Sequence, residues 1–152
     1  MSDPIPRPEA APAPVPPEEG ERVRDIFRAD RATYWRDHAL MAAAAMAAGM
    51  AILAFIGNPH VWTGAVGGLG AIALRAFYLS SEALTDEWRL TDSRLLGPGP
   101  TEIPLADISA VRGFGSAVQV VTRAGHKHLL KYLADRSRAQ ARIAAAAGVS
   151  PA

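Results

Sequence analysis

Two apolar stretches separated by four residues constrain this chain more than any other feature. The first runs from Ala39 to Ile56, ALMAAAAMAAGMAILAFI, and the second from Val61 to Leu79, VWTGAVGGLGAIALRAFYL. Between them stand only Gly57, Asn58, Pro59 and His60. At a helical rise of 1.5 Å per residue the first stretch is about 27 Å long, close to the hydrocarbon thickness of a bilayer. A connector this short makes the two segments antiparallel neighbours.

An alanine-rich helical pair also suits a soluble bundle, because alanine is a weak membrane residue beside leucine, isoleucine or phenylalanine. Three features favour the membrane. Neither stretch carries a polar stripe at 3.6-residue spacing, so neither has a solvent face. Aromatic residues mark the ends: Tyr34 and Trp35, then Trp62, then Phe77 and Tyr78. Such positions suit an interfacial belt. The single internal charge, Arg75, lies about a turn from the end of its stretch, where a long side chain reaches the headgroups.

The basic residues orient the pair. Arg22, Arg24, Arg28, Arg31 and Arg36 precede it, Arg89 and Arg94 follow it, and the connecting turn has none. By the positive-inside rule both termini are cytoplasmic, and Gly57–His60 faces the other side. Gly64 and Gly68 form a GxxxG pair, Gly67 and Ala71 a second small pair, and Ala45 and Gly49 a third on the first stretch. Small residues let helix backbones approach closely in lipid. They serve either the pair itself or a docked helix of another integral membrane protein.

The flanking segments are soluble in character. Residues 1–20 hold seven of the twelve prolines and no apolar core, so they read as a disordered tail without a cleavable signal. Within them Pro14-Val15-Pro16-Pro17 is either solvated or a ligand for a polyproline-binding groove. Residues 21–37 are either an amphipathic juxtamembrane helix or a short strand at Glu21–Phe27 followed by the start of the first span. From Leu84 onward short runs alternate with turn signals: LTDEWRLT, RLL, GPGPT, EIPL, ISAVRGF, AVQVVTR, HKHLLKYL. Val118, Val120 and Thr122 share one parity, as do Leu84, Trp88 and Leu90. Asp135 or Ser137 caps a last helix running to about Ala147, with Gly148 as its stop.

The wording Leu90-Thr91-Asp92, Arg94-Leu95, then Ile103-Pro104-Leu105, Asp107-Ile108, resembles the bacterial PH-like domains. Members of that group often carry a membrane hairpin directly before the domain, so the resemblance implies a bacterial inner (cytoplasmic) membrane. The layout is similar to that of photosynthetic-complex assembly proteins with such a domain. The resemblance covers about residues 84–147 and implies a partly open, strongly bent barrel plugged by a terminal helix. Relatives that bind phosphoinositides do so through a basic first hairpin. The corresponding turn here offers Asp92, Ser93 and Arg94, with no lysine cluster.

Signals for chemistry are sparse. The net charge of +1 gives no global field for nucleic acid. The absence of cysteine excludes disulfides, thiolate metal sites and a cysteine nucleophile. His126 and His128 share a strand face about 7 Å apart, but no third ligand follows by spacing, so no metal is expected. Gly97-Pro98-Gly99-Pro100 is a rigid turn, because its prolines lack the N–H donors of a phosphate loop. No cofactor, small-molecule substrate or catalytic residue is implied. Arg123, Lys127, Lys131, Arg136, Arg138 and Arg142 form a basic surface for anionic lipid or a partner, or a plain solvated face.

The expectation is therefore an α+β membrane protein: a two-helix transmembrane hairpin at residues 38–80 and a small PH-like, partly open β-barrel with a C-terminal helix at 82–148. Its expected role is a non-enzymatic interaction protein, a subunit or assembly factor of a larger membrane complex. The alternative is an anionic-lipid sensor working through the basic face.

Overall fold

The computed structural model describes residues 12–152. Strand β1 (Val23–Arg28) comes first and leads directly into helix α1 (Arg31–Phe55). Asp30 starts that helix: its carboxylate accepts the Thr33 backbone N–H at 2.7 Å and the Thr33 hydroxyl at 2.8 Å. This satisfies an otherwise orphaned donor of the first turn. The helix ends where Gly57 adopts φ +73°, a left-handed conformation that glycine takes without Cβ strain. Asn58 then accepts the His60 N–H at 2.8 Å, and helix α2 (Trp62–Ala83) returns antiparallel along α1.

Six short strands follow: β2 (Glu87–Thr91), β3 (Arg94–Leu96), β4 (Glu102–Pro104), β5 (Ile108–Phe114), β6 (Ala117–Thr122) and β7 (Lys127–Leu130). They make two antiparallel sheets, one in the order β1-β2-β3-β4 and one in the order β5-β6-β7. Helix α3 (Arg136–Ala147) closes the chain, capped by Asp135 and stopped by Gly148 in the left-handed region. The buried cluster draws on both sheets and this helix. Trp88, Leu90, Leu95 and Ile103 from the first meet Val111, Val118, Val120 and Leu130 from the second, with Ala139, Ile143 and Ala144 from α3. The expected parity holds in β6, where Val118, Val120 and Thr122 are buried; it holds for Trp88 and Leu90, while Leu84 falls at the end of α2.

Pairing of β1 with β2 places the segment before α1 and the segment after α2 in one sheet. Of the two readings of residues 21–37, the structure has the strand followed by the start of a helix.

The expected fold class is overturned. The described residues hold three helices and two antiparallel sheets, and α1 is the one helix long and apolar enough to cross a membrane. This is not a two-helix transmembrane hairpin followed by a partly open barrel. Two physical reasons account for the difference. In α2, Arg75, Thr63 and four glycines dilute an apolar run that looks continuous by length alone. In the β region, the 3-10 turn Leu105–Asp107 ends β4 and restarts the chain as β5. No ladder among the named strands then joins one sheet to the other, and the two sheets share one buried cluster.

Candidate functional site

The small residues singled out by sequence meet one another along the seam of α1 and α2. An ideal Cβ on Gly64 would stand 2.5 Å from the Gly49 carbonyl oxygen; one on Gly68 would stand 2.6 Å from the Ala45 carbonyl. Gly64, Gly68, Ala45 and Gly49 thus serve the contact between these two helices, where the missing side chains let the backbones touch. Gly67 and Gly70 have nothing within 4 Å of an added Cβ, and Ala71 is exposed. The second small pair therefore faces outward. Across the two helices Ile52, Phe55, Trp62, Val66, Leu74 and Phe77 are all more than half exposed.

Where the helix pair meets the sheets, the side chains are polar and interlocked. Tyr34 is fully buried and its hydroxyl donates to the Ala76 carbonyl at 2.7 Å. The His38 ring stacks on it at 4.1 Å, its Nδ1 lying 2.9 Å from the Tyr34 carbonyl oxygen. The Tyr132 ring closes the stack edge-on at 4.8 Å from Tyr34. Tyr132 holds φ +56°, unusual outside glycine, while its carbonyl accepts the Asp30 N–H at 2.7 Å. The Ser116 hydroxyl donates to the Asp37 carboxylate, tying the β5–β6 turn to α1. Burial pushes the Tyr132 phenol above its ordinary pKa, and the Thr33 contacts hold the Asp30 carboxyl below its own. Sequence reading missed this cluster and assigned Tyr34 to an aromatic belt. Its signal was the i, i+4 spacing of Tyr34 and His38, which only a partner from β7's far end makes meaningful.

The predicted basic surface divides. Arg138 and Arg142 both bind Asp25 of β1, at 3.1 and 3.2 Å. Arg136 lies over Gly113, and an added Cβ there would come within 2.8 Å of its guanidinium. Arg123 and Lys127 stand at the β6–β7 turn, and Lys131 lies beyond the other end of β7, about 13 Å from Lys127 at strand rise. His128 pairs with Val120 and meets the Trp88 ring edge-on at 6.4 Å; His126 is exposed in the turn. Burial, with His126 adding to it, lowers the His128 pKa. Among the described residues no three His, Asp or Glu side chains converge on a metal position.

The turn that carries the family-like motif is a charge lock. Arg94 reaches Glu21 at 2.6 Å and Glu102 at 2.7 Å. Thr91 and Ser93 hydroxyls donate to the same Glu21 oxygen at 2.5 and 2.8 Å. The Arg94 guanidinium and then the Thr91 hydroxyl hold the Glu21 carboxyl far below the usual carboxylate range. Further up the tail, Val15 offers its carbonyl to Arg89 at 3.2 Å, so the Pro14–Pro17 segment lies near β2; residues 1–11 are outside the described residues. These groups bind each other and position the sheets, while the outward face of the helices is exposed among the described residues. No family model matches the chain, and no curated protein or solved structure matches it either.

Proposed function

We propose that this protein is a non-catalytic, membrane-anchored interaction module that stabilises or helps assemble a larger membrane complex. It is anchored through α1 in a bacterial inner membrane, with the segment that precedes α1 on the cytoplasmic side. One observation carries the reading. The most apolar window of α1 is only 11% buried within the structure, so its side chains require an apolar surrounding that this chain does not itself provide. The arginines that precede α1 support the orientation. The resemblance of residues 84–147 to PH-like domains supports a binding rather than a chemical role. Gly67 and Ala71, open on the outer face of α2, are where a partner helix packs.

The test is purification of the tagged full chain from its native membranes in mild detergent. A stoichiometric integral membrane protein is expected to accompany it, and Gly67→Leu to release that protein. Recovery of the chain alone from intact membranes overturns the assembly role; retention of the partner by Gly67→Leu overturns the helix route.

A further inference from the structure

An apolar groove of about 540 Å³ runs between the first turns of α1 and the β5–β6 turn. Leu40 and Met41 of α1 form one wall, and Phe114 and Leu129 of the second sheet form the other. Phe114 is 78% exposed at the very end of β5, where Gly115 turns the chain at φ +56°. An aromatic ring left this open at a hairpin tip has no function in the core of this chain.

Three observations identify what covers it. First, the α1 wall of the groove is the beginning of the apolar run at Ala39, so the groove lies level with the end of the bilayer that α1 enters. Second, the polar rim is cationic. Arg36 and Lys131 line it against one carboxylate, Asp37, which already takes the Ser116 hydroxyl and the Arg36 guanidinium. Lys131 makes no ion pair among the described residues; Asp86 lies across a neighbouring cleft of about 200 Å³. Third, apolar wall and cationic rim succeed one another in the order of a phospholipid entering from the bilayer, chain first and phosphate outermost.

We propose that this groove seats one anionic phospholipid, with its acyl chain along Leu40, Met41, Phe114 and Leu129 and its phosphate at Lys131 and Arg36. The bound lipid fastens the second sheet to the membrane surface. The opposite turn of β6, at Arg123–Gly125, points away from the bilayer, about 20 Å off by strand rise. This inference rests on the reading of α1 as a membrane anchor.

The test uses the full chain, purified in detergent and offered equal amounts of phosphatidylglycerol and phosphatidylcholine, with bound lipid counted by native mass spectrometry. One phosphatidylglycerol is expected to stay bound. Lys131→Glu and Phe114→Ser, both at exposed positions, are each expected to lower its retention at least fivefold. Equal retention of the two lipids, or no response to either variant, overturns the proposal. Displacement of the lipid by excess glycerol phosphate also overturns it, since a free phosphate would then suffice. The chain has no cysteine, so Phe114→Cys and Ala124→Cys each accept a single polarity-sensitive fluorophore in vesicles holding one quarter phosphatidylglycerol. The label at position 114 is expected to be quenched by lipid-borne nitroxides and the label at position 124 is not. Equal quenching overturns the lipid assignment, as does crosslinking of the Phe114→Cys variant, through its new thiol, to a stoichiometric protein in native membranes. Alkaline carbonate washing of membranes separates the two levels. If the chain washes off, the anchor reading falls with the groove; if it stays and binds no phosphatidylglycerol, only the groove falls.

Discussion

Replacing Gly68 by alanine tests the helix seam at a point of close backbone contact. The new Cβ would stand 2.6 Å from the carbonyl carbon and oxygen of Ala45 and 2.7 Å from the Met46 nitrogen. Carbon atoms rest at about 3.5–4.0 Å, so the helices must part locally by about 1 Å. All three neighbours are backbone and cannot rotate away, so the strain falls on the whole seam. Overpacking of this kind costs about 1–3 kcal/mol, against which the better helix propensity of alanine returns up to about 1 kcal/mol. Against a glycine-to-alanine change in open space, which gains the same propensity, the loss is about 1–3 kcal/mol, which for a chain of this size lowers Tm by roughly 2–12 °C. Gly67→Ala is the matched control, because nothing lies within 4 Å of its Cβ. It should be neutral or stabilising by up to about 1 kcal/mol. Thermal unfolding of the full chain in mild detergent, followed by circular dichroism at 222 nm, measures both. Equal Tm for the two variants refutes the claim that α1 and α2 meet through these glycines.

Two further outcomes follow from the polar contacts. The folded-state pKa of Glu21 lies below its ordinary 4.5, so its stabilising contribution is complete above that value and fades as pH falls through the acid range; Tm of the full chain should drop below about pH 4.5, and Glu21→Gln should start lower at neutral pH with a shallower acid slope, a slope identical to the parent's counting against the lock. Asp30→Ala removes the cap of α1 and should cost about 1 kcal/mol, read in the same unfolding assay, with Asp30→Asn recovering most of it because an amide oxygen still accepts the Thr33 N–H.

Local structure was legible wherever one residue type has one dominant physical preference. Gly148 and Asp135 bound the last helix because glycine accepts a left-handed conformation and aspartate accepts a helical N–H. The two-residue period of β6 marked its buried face, since Val118 and Val120 alternate with Gln119 and Val121. The close seam was legible as a set of small residues, but not its address. Gly64 and Gly68 suit a neighbouring helix of any origin, and only the antiparallel register with Gly49 and Ala45 decides that the neighbour is α1. A list of arginines omits the acids that tertiary structure brings to them. Asp25 stands 113 residues from Arg138 in sequence and binds it in the fold.

By itself, the order of residues determined that two long apolar segments run antiparallel, that short strands follow, and that a capped helix ends the chain. Each of these rests on interactions within a few residues, where propensity, capping and turn chemistry decide the outcome. Tertiary structure alone decided that β1 joins β2 and that the strands divide into two sheets. It also decided that Tyr34, His38 and Tyr132 stack into a joint between helices and sheets. The physical reason is that these arrangements depend on contacts between segments distant in sequence, whose energies no single segment encodes. The two apolar stretches led to the membrane; the fold gathered their small residues inward and left Gly67, Ala71 and the groove beside Lys131 facing out.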